Sequence, residues 1–127
     1  MISSFNIALS GLQAASTRLA VSAGNVANMT MRRPLDTDGN APGLYQPQRT
    51  VQTSTVGGGT QATAAPITPA HQPIADPTSP TGVSAVPNVD LGQEAVEQIQ
   101  AEISYKANAT IIRTARDMEK TLLDMFA

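Results

Sequence analysis

The sequence contains no cysteine and no tryptophan, and only two phenylalanines and two tyrosines. Without cysteine there is no disulfide, no zinc–thiolate site and no thiol chemistry. So few aromatic side chains leave a conventional core short of large anchors, and 19 of the hydrophobic residues are alanine. Charge is also scarce. A formal net charge of -2 provides no basic field for a nucleic acid partner and little attraction to an anionic membrane surface. No apolar run approaches the ~20 residues of a membrane span, so direct membrane insertion is not expected. The segment from Ile7 to Ala15 does not read as a cleaved signal peptide: no Lys or Arg precedes it, Ser10 and Gln13 interrupt it, and Arg18 follows. If the chain leaves the cytoplasm, it is expected to use another route.

What is present is concentrated at the two ends. From Asp90 to Phe126, the residues Val96, Ile99, Ile103, Ala107, Ile111, Ala115, Met118, Leu122 and Met125 recur at a mean spacing near 3.6, which predicts one long amphipathic helix. Asp90 is placed to cap it, with Gln93 to reach back and Glu94 and Glu97 against the positive end of the helix dipole. Glu102 with Lys106, and Arg113 with Asp117, are candidate i,i+4 ion pairs on the wet side. Such a helix runs on the order of 55 Å and needs a partner for its stripe.

The N-terminal segment, residues 1–31, offers that partner. Phe5, Leu9, Leu12, Ser16, Leu19, Ala23 and Val26 alternate at steps of four and three, the spacing of a coiled-coil seam. Ala8, Ala15, Ser22 and Ala27 flank it with small side chains, and Ser3 or Ser4 can cap the helix. Arg18 is the one charge before Arg32. A helix with so little charge is normally buried among several neighbours, which points to burial between subunits.

Residues 32–88 differ in kind. All nine prolines and six of the nine glycines fall there, while Leu, Ile, Val and Phe together number eight. This composition predicts an extended linker with no fixed fold of its own and at most one or two short strands. The best strand candidate is Arg49 to Val56, bounded by Gly57-Gly58-Gly59.

No catalytic, metal or cofactor site assembles from these residues. Asp36-Thr37-Asp38-Gly39-Asn40 has its glycine too early for a calcium loop, and Pro47 stands where the closing Glu belongs, so a polar turn is the better reading. The glycine triplet lacks the Lys-Ser/Thr of a phosphate loop and reads as a flexible hinge. His71 is alone in Pro-rich chain and reads as solvated. Asn28-Met29-Thr30 and Asn108-Ala109-Thr110 match the glycosylation pattern, which is frequent by chance. Glu94 and Glu97 read as dipole partners rather than an acid–base pair. The expectation is a non-enzyme without cofactor.

Two stretches carry a resemblance. Ser10-Gly11-Leu12-Gln13-Ala14-Ala15 leading to Ser22-Ala23-Gly24-Asn25-Val26-Ala27-Asn28 resembles the N-terminal signature of the flagellar rod, hook and hook-associated proteins. Asn88-Val89-Asp90-Leu91, through Tyr105-Lys106-Ala107-Asn108 to Thr121-Leu122-Leu123-Asp124, is similar to the C-terminal half of the same family. Together they cover about half of the chain, at both ends and in the expected order. Ala75-Asp76-Pro77 and Pro87-Asn88-Val89-Asp90 are similar to the proximal-rod members, which are also short and lack the large inserted β domain. The sequence departs from the family pattern at Met29-Thr30-Met31-Arg32-Arg33-Pro34 and at Gly92-Gln93-Glu94.

The resemblance implies a bacterial flagellar basal-body rod subunit. Such a protein is exported unfolded through the flagellar type III apparatus, without a cleaved signal peptide. It polymerises with copies of itself and with other rod subunits into a hollow, torque-transmitting rod across the periplasm. The combined expectation is a mainly α fold. Terminal helices (regions 1–31 and 89–127) pack as a coiled-coil pair, joined by the extended 32–88 segment. The expected assembly interface comprises Phe5, Leu9, Leu12, Leu19, Asn25, Val26 and Asn28 from the first helix. From the second it takes Val96, Ile99, Ile103, Tyr105, Asn108, Ile111, Met118, Leu122 and Leu123. The competing readings are a small coiled-coil adaptor or secretion chaperone, for which the uncharged first helix is poorly suited, and an enzyme with an unrecognised site.

Overall fold

The computed structural model describes residues 2–126; Met1 and Ala127, the outermost residues of the two expected helical regions, lie outside the described residues. Helix α1 spans Ile2–Asn28 and helix α2 spans Leu91–Phe126. Neither contains a proline. The start of α2 is fixed by Asp90, whose carboxylate accepts the Gln93 backbone N–H at 3.1 Å. The end of α1 is a turn in which the Met31 N–H reaches the Asn28 carbonyl at 3.0 Å, shortly before Pro34 rules out further helix.

Between the helices the chain forms five strands in two antiparallel sheets, which corrects the mainly α coiled-coil expectation with at most one or two short strands. Strands β2 (Gln48–Ser54) and β3 (Thr60–Pro66) make a hairpin in continuous register from Gln48↔Pro66 to Ser54↔Thr60. The glycine triplet is its turn and not a hinge. Gly57 and Gly58 take positive φ values of 105° and 88°, and the Thr55 N–H closes on the Gly59 carbonyl at 2.8 Å. Strands β1 (Arg33–Pro34), β4 (His71–Ala75) and β5 (Val83–Pro87) form the second sheet, with β5 central. His71 lies half-buried on β4, opposite Pro87, rather than in solvated chain.

Hydrophobic content underestimates order here because backbone hydrogen bonds and short polar side chains hold these strands. Asp76 shows how. Its carboxylate accepts the Thr78 hydroxyl at 2.6 Å, the Thr78 N–H at 3.0 Å and the buried Ser84 hydroxyl at 2.7 Å, fixing the turn between β4 and β5. These bonds, that from the Thr78 hydroxyl first, hold the carboxyl below its usual range. The Asp36 segment is a polar turn of the same kind, its carboxylate accepting the N–H groups of Asp38 and Asn40 at 3.0 and 2.7 Å.

The hairpin lies along α1. Its turn end meets Ser10, whose hydroxyl accepts the Thr60 N–H at 3.1 Å, and its open end meets Asn25 at Gln48. Fifteen helical residues at ~1.5 Å cover about the same ~22 Å as a seven-residue strand at ~3.3 Å per residue. The two elements therefore match in length.

Candidate assembly interface

The helices pair antiparallel through small residues. Ala8, Gly11, Ala15, Arg18, Ser22 and Asn25 on α1 recur at steps of three and four, one position before the seam expected from the large residues. Facing them on α2, Glu94, Ala101, Asn108 and Ala115 recur every seven residues. Four of these α1 residues and three of these α2 residues are buried. The helices come close: a Cβ added at Gly11 would stand 2.6 Å from the Asn108 amide.

Polar side chains set the register. Asn25 is 0% exposed and uses all its hydrogen-bonding capacity. Its amide donates to the Gln48 carbonyl at 2.6 Å and to the Glu94 carboxylate at 2.7 Å. Its oxygen accepts the Gln48 N–H at 3.0 Å and the Tyr45 hydroxyl at 3.1 Å. One side chain thus ties α1 to the hairpin, to the preceding loop and to α2. Burial, and then the charge of Glu94, push the Tyr45 hydroxyl above its ordinary pKa, so it remains the donor. Ser22 donates to the Glu94 carbonyl at 3.2 Å and accepts from Gln98 at 3.1 Å. Arg18 reaches across to Glu97 at 2.6 Å and to Gln100 at 2.8 Å.

Sequence reasoning missed these roles. Glu94 and Glu97 are cross-helix acceptors rather than dipole partners alone. Isolated Arg18, in a helix otherwise without charge, was the available signal. Of the two expected i,i+4 ion pairs, Glu102–Lys106 forms and lowers the Glu102 pKa through the Lys106 hydrogen bond and then its charge. Among the described residues no ion pair joins Arg113 to Asp117.

The expected interface residues fall into two groups. Asn25, Asn28 and Asn108 serve within the chain; Asn28 donates to the Gly24 carbonyl and Asn108 to the Ser104 carbonyl, each at 2.8 Å. The large residues do the opposite. Phe5, Leu9 and Leu19 on α1 are exposed, with Leu12 and Val26 half-buried. On α2, Val96, Ile99, Ile103, Tyr105, Ile111, Met118, Leu122 and Leu123 are all exposed, Ile103 at 63%. The hydrophobic core consists of alanines: Ala8, Ala14, Ala15, Ala85, Ala101 and Ala115.

Helix α2 also outruns its partner. With Gly11 opposite Asn108, the antiparallel register brings Ile2, the first described residue of α1, opposite about Asp117. Beyond that point the seven-residue spacing that gave Ala101, Asn108 and Ala115 arrives at Leu122, a large side chain with no α1 residue to face among the described residues. Met125 and Phe126 are exposed as well, the latter at 88%.

No helix of the described residues is long and apolar enough to cross a membrane, and no cluster of potential metal ligands occurs among them. A cleft of about 550 Å³ opens between the hairpin and α2, lined by Arg18, Val21, Thr50, Ile67, Glu94 and Val96 among others.

Residues 81–125 match the family model of the flagellar basal body rod FlgEFG protein C-terminal region. Along nearly its whole length the chain is similar to the flagellar basal-body rod protein FlgC of Borreliella burgdorferi. The two are 29% identical over an alignment of 150 positions, gaps included, which takes in 97% of this chain and 95% of that protein.

Proposed function

We propose that the chain is a member of the flagellar rod protein family, as its similarity to the family's C-terminal region and to a flagellar basal-body rod protein supports. It is a structural subunit of the bacterial flagellar basal-body rod, located in the basal body and assembling with other rod subunits. The reading of an adaptor or secretion chaperone is not favoured beside these relationships.

One observation carries the mechanism: the monomer buries alanines and leaves its large apolar residues outside. Fully burying each of these contributes ~1.5–3 kcal/mol before ordering entropy is subtracted, so a polymer gains what the isolated subunit forgoes. The small-residue seam makes a slender, close-packed pair; the large stripes then join subunits. The terminal helices are the assembly elements in this reading, and the β2–β3 hairpin braces α1 through Ser10 and Asn25. Catalysis has no part in it. Export through the flagellar type III apparatus supplies the route across the inner membrane, and the subunit then polymerises in the periplasm, around the rod channel.

Cell fractionation tests this reading. In a strain lacking the chain, motility and completed rods are expected to be lost; on restoration, the protein should co-purify with detergent-extracted basal bodies. Motile cells without the chain, or a protein found only in the cytoplasmic fraction, would contradict it.

A further inference from the structure

The outer strands of the two sheets, β1, β4, β2 and β3, differ in how their free edges are closed. What an edge offers depends on which residues turn their N–H and C=O groups outward. On β4 the Asn88 N–H bonds the Ala70 carbonyl and the Asp76 N–H bonds that of Gly82, which leaves His71, Pro73 and Ala75 in the outward row. Pro73 stands in the middle of that row and offers no N–H. Strand β1 is only Arg33–Pro34. On β3 the outward row runs from Thr60 to Pro66, and both ends are closed, one by the Ser10 hydroxyl and the other by the proline.

Strand β2 has no such protection. The Ile67 N–H on the Pro47 carbonyl and the Thr55 N–H on that of Gly59 set the ladder to β3 on alternate residues, so Gln48, Thr50, Gln52 and Ser54 face outward. Asn25 takes up both groups of Gln48. From there α1 crosses the hairpin to reach Ser10 beside β3. Among the described residues no hydrogen bond takes up the outward groups of Thr50, Gln52 or Ser54. No proline or glycine interrupts the row.

This edge runs into the cleft of about 550 Å³. Arg49 and Thr50 line it, and Val21, Ile67 and Val96 give it apolar surface. Of its charged groups, Arg18 is paired with Glu97, and Glu94 is buried and bonded to Asn25. Arg49 is exposed and, among the described residues, has no ion pair.

These features specify an occupant. Its main chain is extended, to pair with Thr50, Gln52 and Ser54. It carries an apolar side chain for the cleft and a carboxylate for Arg49. Each strand of this chain already has a partner, and a second copy's β2 would bring β3 with it toward the wall that α2 forms. We propose that the free edge of β2 is a strand-addition site for an extended, acidic segment of a different protein. The site does not depend on how the helices assemble, so its failure leaves the rod-subunit reading standing.

The probe is the synthetic peptide acetyl-Thr-Val-Thr-Val-Asp-amide, with its reversed sequence because a strand can add in either direction. Each is titrated into the isotope-labelled full-length chain and followed by NMR. Saturable shifts are expected at the amides of Thr50, Gln52 and Ser54, with a Kd of about 1 mM or below. Gln52→Pro removes one outward N–H and spares the ladder to β3. It should weaken binding about two- to tenfold, the worth of one main-chain bond, and so should N-methylation of alternate peptide residues. Arg49→Gln should remove the preference for this peptide over one with Lys in place of Asp. Binding that survives both Gln52→Pro and N-methylation unchanged would overturn strand addition, and so would no saturable binding of either peptide to the folded chain. A preference for Asp that persists in Arg49→Gln would overturn the acidic partner. Dimers of the chain alone that disappear in Gln52→Pro would assign the edge to a second copy and overturn the proposal.

Discussion

Replacing Asn25 by alanine is expected to lower the melting temperature of the isolated chain by about 10 °C or more. The substitution strands the Glu94 carboxylate, both backbone groups of Gln48 and the Tyr45 hydroxyl, which now share this one amide. Each buried polar group left without a partner costs ~1–3 kcal/mol. The neighbouring cleft can return water to some of them, so the net loss is about 3 kcal/mol, at ~4 °C per kcal/mol for a chain of this size. Asn25→Asp should do no better, since it keeps the shape but sets a second carboxylate against Glu94. Circular dichroism melts read the effect directly. A shift below about 2 °C in Asn25→Ala would mean that the hub does not join the helices to the hairpin.

The second large effect lies at the far end of α2. Exchanging Met118 and Leu122 for aspartate removes two of the apolar residues around the point where α1 ends, and sets charge where subunits are argued to meet. Lost burial alone is worth ~3–6 kcal/mol for the pair, and each desolvated carboxylate adds to it. Export should continue, because the family resemblance places the export signal in the N-terminal region, residues 1–31, which the change spares. The double variant is therefore expected outside the cytoplasm but absent from basal bodies, in cells without a completed rod. Immunoblots of periplasmic, medium and basal-body fractions separate the outcomes. A variant that still builds rods contradicts an assembly role for this end of α2; one retained in the cytoplasm contradicts the division between export and assembly.

Much of the architecture could be read from the residues, but not the packing. Asp90 announced the start of α2 through its capping chemistry, and Arg49 to Val56 announced β2 within two residues. Both signals are local. The pairing of the helices is not local, and ranking positions by hydrophobicity chose the wrong face. Leu9, Leu12 and Leu19 dominate any such ranking, whereas close approach of two helices needs Ala8, Gly11, Ala15 and Ser22, one position earlier. A monomeric globular protein would normally bury the larger set. Here the larger set remains exposed, which fits a subunit completed by its neighbours. The strands β3, β4 and β5 were illegible for a related reason. Their Thr, Ala and Pro residues have little apolar surface, and their order comes from ladder bonds and from turns such as that of Asp76, which composition does not report. Asn25 stood out through the family resemblance alone. Its four bonds depend on Gln48 and Glu94, which are distant in sequence.

The central claim is that this chain folds on small residues and reserves its large ones for other subunits. Thermal unfolding of the purified Leu19→Gln/Ile103→Gln variant tests it most directly. Leu19 is 49% exposed and Ile103 63% exposed in the single chain, and glutamine is a good helix former that adds no charge. Surface changes of this kind lie within about 0.5 kcal/mol each, so the melting temperature should stay within ~4 °C of wild type. A fall of more than about 10 °C would show that the large stripes already hold the monomer together, and would contradict the account.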